Sequence, residues 1–389
     1  MKNISLYQAC QAEQAEFMKM WEKLVNIDSG SLYGEGINEI SSILKNEFLA
    51  LGAEVEQIPM DNQAEGTHTI VRIKGTGKGK ILAAAHVDTV FAKGTAKARP
   101  FSIDGQWAKG PGVADCKAGV NLLLSAIKLL KQMNYTNFAE IGLFFNCDEE
   151  IGSPSSHKIL QNIAPEYDCM LCCESGQVGD GLANSRKGSS NIIVEVHGVS
   201  SHAGSAPEKG SNAMMELLNQ INKIKALEDI AQGTTINFTV CSAGDRVNVI
   251  PNYAVAKADM RVCTNEEIDR VEKAIADISG NPVIKGTKVV INIIRCNPPF
   301  TANPRTDNLI KLAQEIYGEL DKKLIVVSPG GASDANWVAD VGVTVADGFS
   351  VVKGGKNHTP DESSNIDTIV PRLYLLTRLF MELGHGVRL

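Results

Sequence analysis

Runs of apolar residues alternate with amphipathic stretches through the first half of the chain. HTIVRIKG (68–75) and ILAAAHV (81–87) predict two strands joined by the Gly/Lys turn GTGKGK. AGVNLLLSAIKLLKQM (118–133) predicts a helix with Val120, Leu123, Leu124, Ile127 and Leu130 on one face. AEIGLFFNCD (139–148) and YDCMLCCE (167–174) predict further strands buried on both sides, and each ends in an acidic residue. Near the start, Phe17, Trp21, Leu24 and Val25 fall at helical spacing and predict an amphipathic opening helix. Strands that alternate with helices in this way imply α/β layering around a mixed, mostly parallel sheet flanked by helices. Chemistry in such sheets collects beyond the carboxyl ends of the strands.

The pattern changes near Gly188. NIIVEVHG (191–198) alternates like a half-exposed strand, NAMMELLNQINKI (212–224) is helical, and TTINFTVCSAG (234–244) and AVAKADMRVC (254–263) are strands. TNEEIDRVEKAIADIS (264–279) is a helix opened by a Thr cap and an acidic first turn, and KVVINIIRC (288–296) closes the set. The order βαββαβ predicts a ferredoxin-like split βαβ sandwich. The α/β pattern then resumes with TDNLIKLAQEIYGEL and KLIVVSP. Residues 188–299 therefore read as a domain inserted into a larger α/β domain made of 1–187 and 300–389.

A chain of 389 residues is long enough for two cores. Its apolar content of 43% and charged content of 21% belong to a globular protein rather than a disordered or fibrous one. A formal net charge of −7 argues against general binding to nucleic acid or acidic membranes. No apolar run approaches the roughly 18 residues of a membrane helix. The first thirty residues show neither a signal-type apolar core nor a small-residue cleavage site, which predicts a cytoplasmic protein. Nine cysteines, an odd number without regular spacing, predict reduced core thiols rather than a disulfide framework or a thiolate zinc site.

One strand end stands out. His86 and Asp88 occupy alternate positions, so an imidazole and a carboxylate leave an apolar strand on the same side. Asp115 lies in the Gly-rich loop GPGVADCKAG, just before a helix. FFNCDEE brings Asp148, Glu149 and Glu150 to the end of one apolar strand, and LCCESG brings Glu174 to the end of another. GGKNHTPDESS holds His358 in a loop. Carboxylates gathered at one end of a sheet repel one another unless protons or cations lie between them. Histidines in the group favour a metal, and nitrogen and oxygen donors without a thiolate favour zinc, with cobalt or manganese as alternatives. The count fits two ions better than one. His86 with Glu150 would complete one site and Glu174 with His358 the other, with Asp115 bridging. A pair of ions about 3.5–4 Å apart polarises a carbonyl and activates water. Asp88 would orient the His86 imidazole. One acid of the Glu149–Glu150 pair would remain unligated as general base, and spacing alone does not choose between them.

HVDTV, GPGVADCKAG, CDEEIGS, CCESG, SHAGSAPE and NHTPDES together resemble the dinuclear zinc exopeptidases and deacylases, in order and spacing along nearly the whole chain. That superfamily includes aminoacylase, succinyl-diaminopimelate desuccinylase, tripeptide peptidases and bacterial glutamate carboxypeptidase, and the last is the branch this chain most resembles. The resemblance implies His86, Asp115, Glu150, Glu174 and His358 as metal ligands, with two Zn2+ per subunit. It implies Glu149 as general base and Asp88 as the supporting carboxylate. It also implies a cis peptide after Asp115. The inserted domain is implied to be a lid and homodimerisation module whose His202 reaches the partner subunit's site and stabilises an oxyanion. Arg261 is implied to hold a substrate carboxylate, Asn248 to contact substrate, and Gly331 to let backbone approach it.

The chain departs from the family in places. Pro111 and Cys116 stand where the loop usually carries Arg and Met. Leu182 and Asn297 stand where glutamate-cleaving relatives carry basic residues, so glutamate specificity is not implied. The expected activity is that of a metallocarboxypeptidase acting on small peptides. An N-acyl-amino-acid deacylase is the alternative, and an inactive binding protein a remote one.

Overall fold

The computed structural model describes residues 2–60, 65–386 and 389. They form two compact units, the first holding the chain up to Ser185, Ala302–Pro329 and Ser333 onward, the second holding Arg186–Thr301 with Gly330–Ala332.

The first unit opens with helix α1 (Ile4–Val25), started by the Asn3 side chain, which accepts a bond from the Leu6 N–H. Its buried stripe is Leu6, Cys10, Phe17, Trp21, Leu24 and Val25, of which the last four were anticipated from spacing. Helix α2 (Gly34–Ala50) precedes strands β1 (Glu54–Pro59), β2 (Thr67–Lys74) and β3 (Lys80–His86). The short helix α3 (Thr95–Ala98) and the strands β4 (Ser102–Asp104) and β5 (Trp107–Lys109) lead to α4 (Lys117–Gln132). Then come β6 (Glu140–Asn146), α5 (Ser156–Ile163), β7 (Cys169–Cys172) and β8 (Gly181–Ala183).

In the second unit β9 (Gly188–His197), α6 (Ala213–Lys225), β11 (Thr235–Ala243), β13 (Tyr253–Val262), α7 (Asn265–Ser279) and β14 (Lys288–Asn297) reproduce the expected βαββαβ order. A short ribbon of β10 (Ser201–His202) and β12 (Val249–Ile250) is set into that series. The four long strands form an antiparallel sheet in the order β11-β13-β9-β14. Every second residue of β9 and β13, such as Ile192, Val194, Ala256 and Met260, faces a core shared with Leu217, Ile224, Val271 and Ile275 of the two helices.

The chain returns to the first unit with α8 (Pro304–Gly318), β15 (Ile325–Val327), α9 (Asp334–Asp340), β16 (Thr344–Asp347), β17 (Ser363–Asn365) and α10 (Ile369–Gly384). Eight strands form its sheet in the order β1-β2-β6-β3-β7-β16-β8-β15. The centre, β6-β3-β7-β16, is parallel, whereas β1, β2 and β6 pair antiparallel on one flank and β16 meets β8 antiparallel on the other. β3 and β6 are buried on both faces, which explains their unbroken apolar runs. Helices α4 and α10 are buried almost all round because they lie against the sheet and against other helices. Trp21 ties this core to the site below. Its burial contributes on the order of 3–5 kcal/mol. Its indole N–H donates to the Val113 carbonyl at 3.1 Å, two residues before Asp115.

Candidate active site

Because β6, β3 and β7 run parallel and adjacent, their carboxyl ends share one edge of the sheet. His86 is the last residue of β3 and lies level with Asn146, the last of β6. Ala84 pairs with Cys172, and the ladder continues when the Cys173 N–H donates to the Ala84 carbonyl at 2.7 Å. Glu174 thus arrives abreast of His86. Past β6 the chain coils into a 3-10 turn at Glu149–Ile151. Asp115 comes from the loop before α4, and the Asp115–Cys116 peptide is cis. His358 comes from the loop after β16, with a left-handed φ of 63°.

The five expected ligands converge around Asp115. One of its oxygens lies 3.1 Å from His86 Nε2 and the other 3.2 Å from His358 Nε2. Glu174 Oε1 lies 3.5 Å from His86 Nε2, and Glu150 Oε2 lies 3.1 Å from His358 Nε2. This corrects the pairing drawn from the sequence. His86 shares its half of the site with Glu174, and Glu150 shares the other half with His358. Oxygens of Glu150 and Asp115 and a nitrogen of His86 still fall within 4.8 Å of one another, so the two halves are contiguous.

Asp88 is fully buried and lies close to His86. The His86 Nδ1–H is 3.0 Å from the Asp88 carbonyl and 3.4 Å from its carboxylate, which turns Nε2 toward Asp115 and Glu174. The Asp88 carboxylate also takes the N–H groups of Glu149 and Glu150, each at 3.1 Å, and the Ser31 hydroxyl at 2.7 Å. It therefore orients the turn that carries both glutamates as well as the imidazole.

The crowding of acids shows in their proton affinities. Burial, together with the charges of Glu174, Asp334 and Glu150 and against that of His86, holds the Glu149 carboxyl well above the usual range. Burial pushes Glu174 up to about 7 despite His86, and burial also raises Glu150. Burial works against charge on Asp115 too, but its bonds to His358 and His86 outweigh it and hold that carboxyl well below the usual range. Bonds to Asp115 and Glu150 lift His358 to about 10. His86 is pulled down by burial, yet Glu174, Asp115 and Asp88 leave it well above its ordinary value. One carboxylate drawn down among three pushed up, beside two imidazoles that hold their protons, is a cluster that collects positive charge.

Several contributors lie inside the quoted motifs without a role having been assigned to them. Glu362 is buried and accepts the N–H groups of Gly112, Ala114 and Asp115 at 3.3, 2.8 and 3.0 Å, so one carboxylate shapes the loop that delivers Asp115. Asn357 donates to the second Asp115 oxygen at 2.8 Å. Asp148, grouped in the sequence with Glu149 and Glu150, turns away and accepts bonds from the backbone and hydroxyls of Ser155 and Ser156 at the start of α5. Glu362 and Asn357 lie within NHTPDES and Asp148 opens the run Asp148-Glu149-Glu150, but neither stretch shows such partners before the fold is known.

The remaining expected residues lie in the second unit or on its margin. His202 is exposed, and its Nδ1 accepts the N–H groups of Gly204 and Ser205, both at 3.1 Å. The proton of the neutral ring is thereby fixed on Nε2, which is left as a donor. The β10–β12 ribbon sets His202 opposite Val249, beside Asn248, whose carbonyl takes the Ala203 N–H at 2.9 Å. Arg261 lies apart from this pair, on β13 opposite Ser189, and its Nε is held by both Asp259 oxygens at 3.1 and 2.9 Å. Asn297 lies on the other side of Ser189 and accepts its hydroxyl at 2.9 Å. Leu182 is fully buried in β8 and presents nothing to a ligand. The Gly331 carbonyl accepts Arg186 Nη1 at 3.0 Å, and a Cβ on Gly331 would meet no atom within 4 Å.

None of the nine cysteines is joined in a disulfide. Cys169 and Cys172 have C-x-x-C spacing but share a strand, where positions three apart face opposite ways. The Cys116 sulfur lies near His86 and Glu174. Its thiol donates to the Cys173 carbonyl at 2.9 Å, and burial holds it well above the usual thiol range.

The chain is 33% identical over 383 residues to carboxypeptidase G2 of Pseudomonas sp. strain RS-16, which spans 98% of this chain and 92% of that protein. Its structure superposes on the aminopeptidase PepT of Bacillus cereus with a TM-score of 0.81 at 24% identity, covering 95% and 98% of the two chains. A metallo-carboxypeptidase of Sulfolobus solfataricus gives 0.74 at 17% identity, covering 96% and 100%. At these identities the superpositions establish the fold alone. A family model described as peptidase family M20/M25/M40 matches residues 82–382, which takes in every acidic and histidine residue converging on Asp115. With that match, the full-length relative and a carboxylate-imidazole cluster at the carboxyl edge of this sheet, the chain belongs to peptidase family M20/M25/M40 and is a metallopeptidase.

Proposed function

We propose that the chain is a dinuclear metallocarboxypeptidase that cleaves an amide bond whose amine half carries a free α-carboxylate. The observation behind this reading is the division of Asp115, one oxygen facing His86 and Glu174 and the other facing His358 and Glu150. The donor set fits divalent cations. No lysine or arginine pairs with these carboxylates among the described residues, and Glu150 Oε1 is buried without a partner there. A buried acid cluster of this kind needs a positive ion as counterweight. Two imidazole nitrogens and carboxylate oxygens suit zinc first, with cobalt or manganese next. His86 and Glu174 would hold one ion, Glu150 and His358 the other, and Asp115 both.

Bound there, the ions supply Lewis acidity toward the scissile carbonyl and lower the pKa of water. Glu149, whose carboxylate accepts no bond from the described residues, takes the proton of the attacking water and passes it to the leaving nitrogen. Its raised proton affinity suits a group that must accept a proton before returning it. Asp88 keeps His86 and the Glu149 turn in place. His202, with its proton fixed on Nε2, supplies the donor for the oxyanion from the other subunit of a homodimer, and Asn248 and Gly331 line the substrate. Arg261 offers its two terminal nitrogens to the substrate carboxylate while Asp259 holds its Nε. The identity shared with a carboxypeptidase along the full chain favours this reading over an aminopeptidase. Among the described residues no helix is long and apolar enough to cross a membrane, and nine cysteines outside any disulfide fit a reducing compartment such as the cytoplasm.

The test is hydrolysis of a panel of dipeptides, folates and N-acetyl amino acids by zinc-loaded protein, with Glu149→Gln alongside. Release of C-terminal residues, slowed about 10²- to 10⁴-fold in E149Q with metal content unchanged, is the expected result. Turnover of acylated amino acids alone would assign a deacylase instead. Wild-type turnover by E149Q with both ions bound would remove the mechanism.

A further inference from the structure

The turn that carries Glu149 and Glu150 leaves the site through two successive residues with left-handed backbone, Gly152 at φ 89° and Ser153 at φ 56°. Glycine adopts this conformation freely, but serine does so under strain, and such a residue persists only where its surroundings fix it. Ser153 is almost fully buried and fixed on every side. Its N–H donates to the Asp148 carbonyl at 2.8 Å, and its carbonyl accepts the His157 N–H at 3.0 Å and His157 Nδ1 at 2.7 Å. Its hydroxyl donates to Asp334 Oδ1 at 2.7 Å.

Asp334 is the first residue of α9 and is itself 2% exposed. Its own helix does not need it as a cap, because Ser333 and Asn336 form a complete capping box there. Among the described residues no cation pairs with it, so burial pushes its carboxyl up to about 6. A carboxylate kept in the interior without a counterion and without a capping task has one directed bond, and that bond goes to Ser153. We propose that Asp334 is a positioning residue for Glu149, anchoring through the Ser153 hydroxyl the exit of the turn whose entry Asp88 holds. The turn is then pinned at both ends. Asp88 grips the N–H groups of Glu149 and Glu150, and Asp334 grips the residue three beyond Glu150. Without the second anchor the strained backbone at Ser153 relaxes, and the general base loses its aim while the ligands on β3 and β7 stay where they are.

This inference rests on the reading of Glu149 as general base. Its test uses zinc-loaded Ser153→Ala, Asp334→Ala, the double variant and Asp334→Asn, with kcat, KM and bound zinc measured for each. S153A keeps the Cβ, so the left-handed conformation is as costly for it as for serine and only the anchor that holds it is lost. It remains informative should D334A fold poorly. Each single variant is expected to lose about 10- to 100-fold in kcat, with KM and zinc content within about twofold of wild type. The double variant should be no worse than the poorer single one, because both remove the same bond. D334N, whose amide oxygen accepts that bond, should recover most of kcat. Losses that multiply in the double variant, a D334N as poor as D334A, or zinc lost in step with activity would each overturn the proposal. E149Q assayed in parallel separates the two failures. An active E149Q removes the base itself, whereas a dead E149Q beside fully active S153A and D334A removes only the anchor.

Discussion

Gly119 is the third residue of α4, four positions after Asp115, and it touches the strand that delivers Glu174. A Cβ there would lie 2.0 Å from the Cys173 carbonyl oxygen and 2.9 Å from Cys116 Sγ, against a floor of 3.0 Å for real contacts. Gly119→Ala therefore has to move α4 and the end of β7 apart by about 1 Å, since neither a backbone carbonyl nor a buried thiol can swing away. Overpacking of this kind costs about 1–3 kcal/mol. The better helix propensity of alanine returns about 1 kcal/mol, so the net loss of stability is small. The effect on the site is not small. Asp115 and Glu174 flank His86 from opposite sides of the moved contact, and a 1 Å misplacement costs about 10²-fold in rate. G119A should unfold in urea within about 2 kcal/mol of wild type while kcat falls about 100-fold and zinc binds more weakly. Gly318→Ala is the control. It ends α8 with no atom within 4 Å of the new methyl, so it should gain about 0.5–1 kcal/mol and keep full activity. Wild-type kcat and zinc affinity in G119A would refute the claim that the helix-to-strand spacing sets the site.

Asp88→Asn keeps the size of the side chain but sets an amide nitrogen against the N–H groups of Glu149 or Glu150, and it should weaken zinc binding about 10- to 100-fold in a chelator competition. Zinc affinity should also fall as pH drops below about 7. The two imidazoles, both raised, already hold protons across pH 5 to 8, and Glu174, raised to about 7, gains one within that window; each proton must leave before an ion binds, so a flat affinity between pH 5 and 8 would count against the ligand set. Arg261→Lys keeps the charge but loses the planar fork, and about a tenfold rise in KM with kcat preserved is expected for substrates with a free α-carboxylate. An amidated peptide should show no difference between R261K and wild type.

The elements of the fold were legible because their apolar periods are strong. The double-sided burial of β3 and β6 writes itself as unbroken runs, and the one-sided sheet of the second unit writes itself as alternation in NIIVEVHG and AVAKADMRVC. The short strands β4, β5, β8, β10, β12 and β17 left no such trace, since two or three residues do not define a period. The assignment of Gly330–Ala332 to the second unit was hidden for another reason. It depends on bonds such as that from Arg186 to the Gly331 carbonyl, which link segments 145 residues apart. Leu182, which stands where glutamate-cleaving relatives carry a basic residue, is fully buried in β8, a burial that its neighbours in sequence do not announce.

Which glutamate lies beside which histidine was one part of the site that residue types left open, and the register explains why. His86 ends the central strand of three, so the segments after β6 and after β7 lie on either side of it at equal lateral spacing. From sequence, Glu150 and Glu174 are equivalent neighbours. The ladders break that equivalence. β7 is aligned so that two residues beyond the Ala84–Cys172 pair bring Glu174 level with His86. On the other side His86 is level with Asn146, and Glu150 lies four residues further on, inside a 3-10 turn that carries it past the sheet edge toward His358. The turn goes that way because Asp88 binds the N–H groups at its start and Asp148 turns back to α5 rather than continuing the strand. A shift of β7 by one residue would turn Glu174 to the opposite face and leave His86 with Asp115 alone. The division of these residues between the two halves of the site is therefore a property of strand alignment.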